Sequence, residues 1–201
     1  MNTVSKGNTF ENRVYASLKQ ELESEGLCVS SKAAKIFQKK GYYSRDRDGE
    51  IMSDISIEVA LPRKERPSLI WLFECKDYSG SIPVDDVEEF HAKIQQISED
   101  NTKGTIVVSG ALQKSALNYA RSKGIGVIRL LPDDQIEHVM GFLTTDSLNR
   151  NHFDANEVIP ALLNPSHRSR HHFFGYSGDY VYGSWLSFLE NELKPYVYEI
   201  P

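Results

Sequence analysis

Glu74 and Lys76 close a run, Leu69-Ile70-Trp71-Leu72-Phe73, that is otherwise continuously apolar. They are two positions apart, so on a strand they project from the same face. Charge at the end of a buried strand is costly unless it pairs or holds an ion. Asp54 opens an alternating stretch in which Ile55, Ile57, Val59 and Leu61 face one way and Asp54, Ser56 and Glu58 the other. A hairpin turning over residues 62–67 pairs Leu61 with Ser68 and brings Asp54 beside residue 75. Two carboxylates and an amine then meet at one end of one hairpin. Hard divalent cations such as Mg²⁺ take such oxygens together with water and phosphate oxygens. A cation there offsets phosphodiester charge and acidifies a bound water; a neighbouring ammonium orients that water or steadies developing negative charge. Glu11 joins the set, one step from the apolar stripe of the first helix. The same residues also fit a partly buried ion-pair network that only fixes strand register.

Such a set needs elements to hold it. Phe10, Val14, Leu18 and Leu22 recur every four positions and predict a helix over 8–25, capped by Asn8 or Thr9 and ended at Gly26. Residues 30–40 read as a second, more basic helix, and 41–51 as a polar, turn-rich stretch. Strands are expected over 54–61 and 68–76, the second apolar enough to be covered on both faces. Asp85 with Glu88 resembles a capping box opening a helix over 85–99, with Val87, Phe90, Ile94 and Ile97 as its stripe. A strand over 105–109, a helix over 113–123 and a strand over 126–131 follow. This order predicts an α/β fold, a mixed sheet flanked by helices. Past Pro132 come a helix over 133–143, no clear period across 144–164, and a helix over 184–193. The last 51 residues hold 10 of the 21 aromatics, so this C-terminal extension is aromatic-rich.

The balance of 40% hydrophobic and 25% charged residues in 201 excludes a collagenous, coiled-coil or wholly disordered chain. No apolar run approaches the ~20 residues of a membrane helix, and the polar start lacks the apolar stretch of a secretory signal. Cys28 and Cys75 are too few for a disulfide framework or a four-thiolate zinc site. As free thiols they point to a reducing cytoplasm. A net charge of −5 weighs against nucleic acid, because phosphate binding leaves a basic footprint. The charge is uneven, however: residues 1–66 carry 12 basic against 10 acidic side chains, and 67–201 carry 11 against 18. Basic clusters at 32–47 and 63–66 flank Asp54. Arg45, Arg47, Arg63 and Lys64 are therefore candidate phosphate contacts; a merely solvated face is the plainer reading.

Asp54, nineteen residues, then Glu74-Cys75-Lys76 on an apolar strand resembles the PD-(D/E)xK nuclease superfamily. The closer likeness is to Mrr-type restriction endonuclease domains. It is carried by Gly7-Asn8-Thr9-Phe10-Glu11, by Val84-Asp85-Asp86-Val87-Glu88-Glu89-Phe90, and by the stretches 103–109 and 124–130. The likeness spans about residues 7–131 and implies a restriction-endonuclease-like domain over 1–131. It also implies Mg²⁺-dependent hydrolysis of phosphodiesters, usually in DNA, with Mn²⁺ able to substitute. The implied role is restriction, anti-phage defence or DNA processing, by a homodimer or beside a partner domain. Asp54 and Glu74 become metal ligands, the backbone carbonyl of Cys75 a third, and Glu11 an accessory one. Lys76 becomes the group that positions or activates the water. Ser53 stands where the pattern has proline, a position that varies; the carboxylate at 74, where many Mrr-type members carry Gln, favours activity. RNA stays open as a substrate. The alternative is a catalytically silent module on the same fold that holds nucleic acid or a protein partner.

His91 could touch substrate phosphate or be a half-buried helix histidine. Lys93 is expected on the solvated side of its helix. The run His167-Arg168-Ser169-Arg170-His171-His172 suits a surface loop, or a grip on a nucleic-acid backbone. Residues 132–201 are expected to pack on the core or a partner, or to begin a second domain.

Overall fold

The computed structural model describes residues 3–24, 33–44, 46–60, 66–97, 101–137 and 153–196. Helix α1 (Thr3–Glu23) leads into a long hairpin, β1 (Ala34–Ser44) and β2 (Gly49–Val59). Then come β3 (Leu69–Lys76), α2 (Val84–Ile97), β4 (Thr102–Val108), α3 (Lys114–Ser122) and β5 (Gly126–Leu130). A short helix α4 (Val158–Leu163), strands β6 (Phe173–Ser177) and β7 (Tyr180–Tyr182), and helix α5 (Trp185–Leu193) complete the chain. The seven strands form one sheet in sequence order. β1, β2 and β3 are antiparallel, β3, β4 and β5 parallel, and β5, β6 and β7 antiparallel again. This is the mixed α/β sheet flanked by helices that the sequence predicts.

The expected helix over 30–40 and turn-rich stretch over 41–51 are corrected: residues 30–32 and 45 lie outside the described residues, and residues 34–44 and 49–51 are strands of the β1–β2 hairpin. Its ladder runs from Ala34↔Val59 to Ser44↔Gly49. The turn is made by Asp48 at φ 46°, a left-handed conformation that Asp tolerates, just before Gly49. The lysines that suggested a basic helix lie along a strand, with Lys40 stacked on the Phe37 ring and paired to Glu58. The β2–β3 hairpin forms with Ile55↔Phe73 and Val59↔Leu69, one residue from the expected register. Helix α2 starts at Val84, so Asp85 sits in its first turn rather than at the cap, where the exposed amide groups still favour its charge. Of the helix expected over 133–143, the described part forms one 3-10 turn, Asp133–Gln135; residues 138–143 lie outside the described residues.

Two apolar layers cover the sheet. On one face, Phe10, Val14, Leu18 and Leu22 of α1 and Phe188, Leu189 and Leu193 of α5 pack on Ile55, Ile57, Trp71 and Phe73. On the other, α2, α3 and α4 pack on Leu72, Ile106, Val108 and Val127. The crossovers from β3 to β4 and from β4 to β5 thus put their helices on the same face. Trp71, fully buried, satisfies its indole by donating to Thr105 Oγ1 at 2.9 Å.

The described part of 132–201 adds β6 and β7 to the same sheet. Phe173, Phe174, Tyr176, Tyr182, Trp185 and Phe188 pack inward, with Phe188 5.2 Å from Trp71 and Trp185 5.0 Å from Phe173, whereas Tyr180 is exposed. Arg129 of β5 is 1% exposed and ties the extension down. Its guanidinium donates to the carbonyls of Ser109, Ala161 and Asn164 and to Gln135 Oε1. Burial lowers its pKa to about 10, which leaves it cationic at neutral pH. Glu192 of α5 pairs with Lys103 of β4. Pro160 falls in the first turn of α4, where a missing N–H costs nothing. His167 is held by Glu157 at 3.0 Å and packs edge-on against Phe174.

Candidate active site

The β2–β3 ladder ends at Ile55↔Phe73, and the strands part there. Asp54, the next residue of β2, accepts the free Cys75 N–H on Oδ2 at 2.9 Å. Ser53 braces the fork by donating its hydroxyl to the Ile55 carbonyl at 2.8 Å. On the other side β3 stays paired with β4 through Lys76↔Val108. Asp54 is thereby held in the gap at the end of a buried strand.

Glu11 is 5% exposed on α1, beside the Phe10 and Val14 that anchor the helix. A buried carboxylate needs partners, and both of its oxygens have one. Gln38 donates to Oε1 at 3.0 Å, and the Lys39 ammonium lies 2.6 Å from Oε2. The same ammonium lies 2.6 Å from Asp54 Oδ1. Lys39 sits in β1 between the pairs Gln38↔Ile55 and Lys40↔Ser53, opposite Asp54, with φ 49°. That conformation costs a non-glycine residue about 1–2 kcal/mol. Burial pulls the Lys39 pKa down, but hydrogen bonds to Asp54 and Glu11 outweigh it and raise the pKa above the ordinary lysine value.

Glu74 and Lys76 face α2. Glu74 is 6% exposed; Lys93 reaches its Oε1 at 2.9 Å and Lys76 at 3.4 Å. Lys76 also lies 3.3 Å from Asp86 Oδ1. Burial lowers the Lys76 pKa, and the charges of Glu74 and Asp86 more than reverse this, favouring the ammonium. Cys75 separates the two clusters. Burial pushes its thiol pKa well up, and the charges of Asp54, Glu11 and Glu74 add to this.

The structure thus brings Asp54, Glu11, Glu74 and Lys76 to one strand end, as two ion-paired clusters around Cys75. His91 is placed elsewhere: it meets the Tyr119 hydroxyl at 3.1 Å, and burial, then the charge of Lys123, lowers its pKa. Arg47 donates to Gln96 Oε1 at 2.8 Å, at the far end of α2. Arg45, Arg63 and Lys64 lie outside the described residues. Lys93 is corrected from a solvated position to a 20% exposed one that reaches Glu74. Its signal was available: Asp86 and Lys93 are seven apart and share the α2 face next to Val87 and Phe90. Lys39 was missed as a site residue because its stretch reads as a helix.

Among the described residues no three His, Cys, Asp or Glu side chains form a ready-made metal cluster. Yet Glu11 and Asp54 fit a hard divalent cation, because a carboxylate oxygen from each already meets one positively charged atom. A cleft of about 510 Å³ opens beside the carboxyl ends of β3, β4 and β5, lined by Phe10, Arg13, Asp77, Ser109 and Arg129. It adjoins Glu11 and Lys76 in sequence, on the side of a parallel sheet where ligands bind. No described helix is long and apolar enough to cross a membrane.

No curated protein matches the chain. A solved structure, described as a protein of unknown function, AF1548, is 13% identical with a TM-score of 0.39, covering 55% of this chain and 56% of that one. The catalytic-domain model Mrr_cat, described as "Restriction endonuclease", matches residues 26–140. That match covers more than half of the 201 residues and includes Asp54, Glu74, Cys75 and Lys76, so the chain belongs to the Mrr-type restriction endonuclease family.

Proposed function

We propose that the chain is a metal-dependent endonuclease that hydrolyses phosphodiester bonds in DNA, in restriction, anti-phage defence or DNA processing. The observation that carries this is the convergence of Glu11 and Asp54 on one cation at the fork beside Glu74 and Lys76. Glu11, Asp54, Glu74 and the Cys75 carbonyl would hold Mg²⁺ or Mn²⁺. The ion supplies charge neutralisation at the phosphate and a more acidic water. Lys76, kept as an ammonium by Glu74 and Asp86, donates hydrogen bonds; it orients the attacking water or steadies negative charge rather than removing a proton. Glu74 and Asp86 hold that ammonium at the strand end, and Lys93 fixes Glu74. Cutting both strands of a duplex calls for two such sites, hence a homodimer or a partner domain.

In 5 mM Mg²⁺ or Mn²⁺ the purified protein is expected to nick or linearise supercoiled plasmid. Asp54→Ala, Glu74→Ala and Lys76→Ala are each expected to lose at least about 100-fold in rate, the order of one transition-state contact or more, with unchanged circular dichroism. Full activity in all three variants would contradict the reading. The ion pairs that engage Asp54 and Glu74 favour a second reading, a silent module that holds nucleic acid or a protein. DNA retention without cutting in either metal would support it.

A further inference from the structure

We propose that the Lys39 ammonium is a built-in stand-in for the metal, which occupies the cation position between Glu11 and Asp54 and competes directly with the divalent ion for both carboxylates. This rests on the metal-dependent reading above.

The oxygen geometry is the first support. Glu11 Oε1 is held by Gln38 and Asp54 Oδ2 by the Cys75 N–H. The remaining oxygen of each carboxylate points at Lys39 Nζ, at 2.6 Å from both. A cation taking Nζ's place would meet the same two oxygens without turning either carboxylate.

Mobility is the second. The side chains of Glu11 and Asp54 are 6% and 21% exposed, and the backbone or Gln38 fixes each. Lys39 is 51% exposed on a long flexible stem. The carboxylates are built in, whereas the ammonium can withdraw to water.

Backbone and charge agree. Lys39 is held at φ 49° within β1, and strained non-glycine residues concentrate at functional sites. Two carboxylates facing one ammonium leave the cluster with one negative charge in excess, and a divalent ion in the ammonium's place would complete the balance. Without Lys39, two nearby carboxylates would face each other unpaired in the metal-free chain, which is destabilising. With it, the measured metal affinity is the intrinsic affinity multiplied by the fraction of time the ammonium is out of the site.

Mn²⁺ titration calorimetry without nucleic acid, paired with thermal melting, tests this. Lys39→Met is expected to bind Mn²⁺ at least tenfold tighter than the native chain. It should melt lower without metal and regain the difference at saturating Mn²⁺. Lys39→Arg, with a more tightly held cation, is expected to bind Mn²⁺ more weakly. Lys39→Gln, which keeps an amide donor to the carboxylates, is read as Lys39→Met if that variant does not fold. Lys40→Met removes an equal charge that touches neither carboxylate, and it is expected to change the affinity less than threefold. Equal Mn²⁺ affinity in Lys39→Met, Lys39→Gln and the native chain, with Asp54→Asn abolishing binding, would overturn the competition and leave the metal reading intact. So would tightening by Lys40→Met as large as that by Lys39→Met. No Mn²⁺ binding by any of these chains would overturn both.

Discussion

Glu11, Asp54 and Glu74 are carboxylates at the rim of a hydrophobic core, and each meets a lysine. Such pairs add little to stability compared with apolar packing of the same volume, and breaking one leaves a buried charge. Under the proposed metal-dependent function, their place at the strand end serves chemistry rather than stability. Cys75 sits among them, and its environment makes a separate prediction. Burial and three nearby carboxylates disfavour the thiolate, so the folded chain holds Cys75 as an unreactive thiol at pH 8. Iodoacetamide labelling followed by peptide mapping is expected to modify Cys75 at least tenfold more slowly than in the urea-unfolded chain; equal rates would contradict its half-buried placement among the carboxylates. At this scale Asp54, Glu74 and Lys76 were legible, because charge closing an apolar strand is visible as a pattern. Lys39 was not, because its stretch reads as a helix, and Lys93 was legible only through its seven-residue spacing from Asp86 on the α2 face.

The elements differ in how plainly the residues announce them. Helix α1 and strands β3, β4 and β5 follow from period and continuity alone: Phe10, Val14, Leu18 and Leu22 share one stripe, and Leu69 to Phe73 cannot be solvated on either face. Strand β1 was hidden because Lys35, Lys39 and Lys40 interrupt its alternation and because its residues are only half-buried. The turn signal lay at Asp48-Gly49, and recognising it would have converted 30–51 from helix and loop into a hairpin. Asp48 also accepts the Tyr43 hydroxyl at 2.9 Å. Asp48→Val is expected to cost about 1–2 kcal/mol in urea unfolding, since a β-branched residue resists φ 46°. Asp48→Gly is expected to stay within about 0.5 kcal/mol of the native chain, the conformational gain offsetting the lost bond. Equal stability of Asp48→Val and the native chain would show that the turn is made otherwise.

Across the whole molecule, the described part of the aromatic C-terminal stretch is joined to the rest of the α/β core by a shared sheet, shared packing and one buried cation. Arg129 binds four acceptors from three segments; without it the Asn164 carbonyl keeps the His167 N–H, but the Ser109 and Ala161 carbonyls and Gln135 Oε1 lose their guanidinium donor. Arg129→Ala is expected to lower stability by about 3–4 kcal/mol, from a penalty of about 1–3 kcal/mol per orphaned buried acceptor, partly relieved by water. A loss below about 1 kcal/mol would mean that the extension is held by packing alone. The net charge of −5 is compatible with a phosphate-bearing partner because Glu11, Asp54 and Glu74 already face cations. If DNA is the partner, as proposed, the net charge of −5 predicts salt-sensitive affinity rather than tight coating of DNA. Anomalous diffraction from a crystal soaked in Mn²⁺ tests directly whether this strand end is a metal centre. An anomalous peak is expected within coordination distance of Asp54 and Glu11, with the Lys39 ammonium displaced. Saturating Mn²⁺ with no peak at Asp54, and Lys39 still bridging both carboxylates, would contradict it.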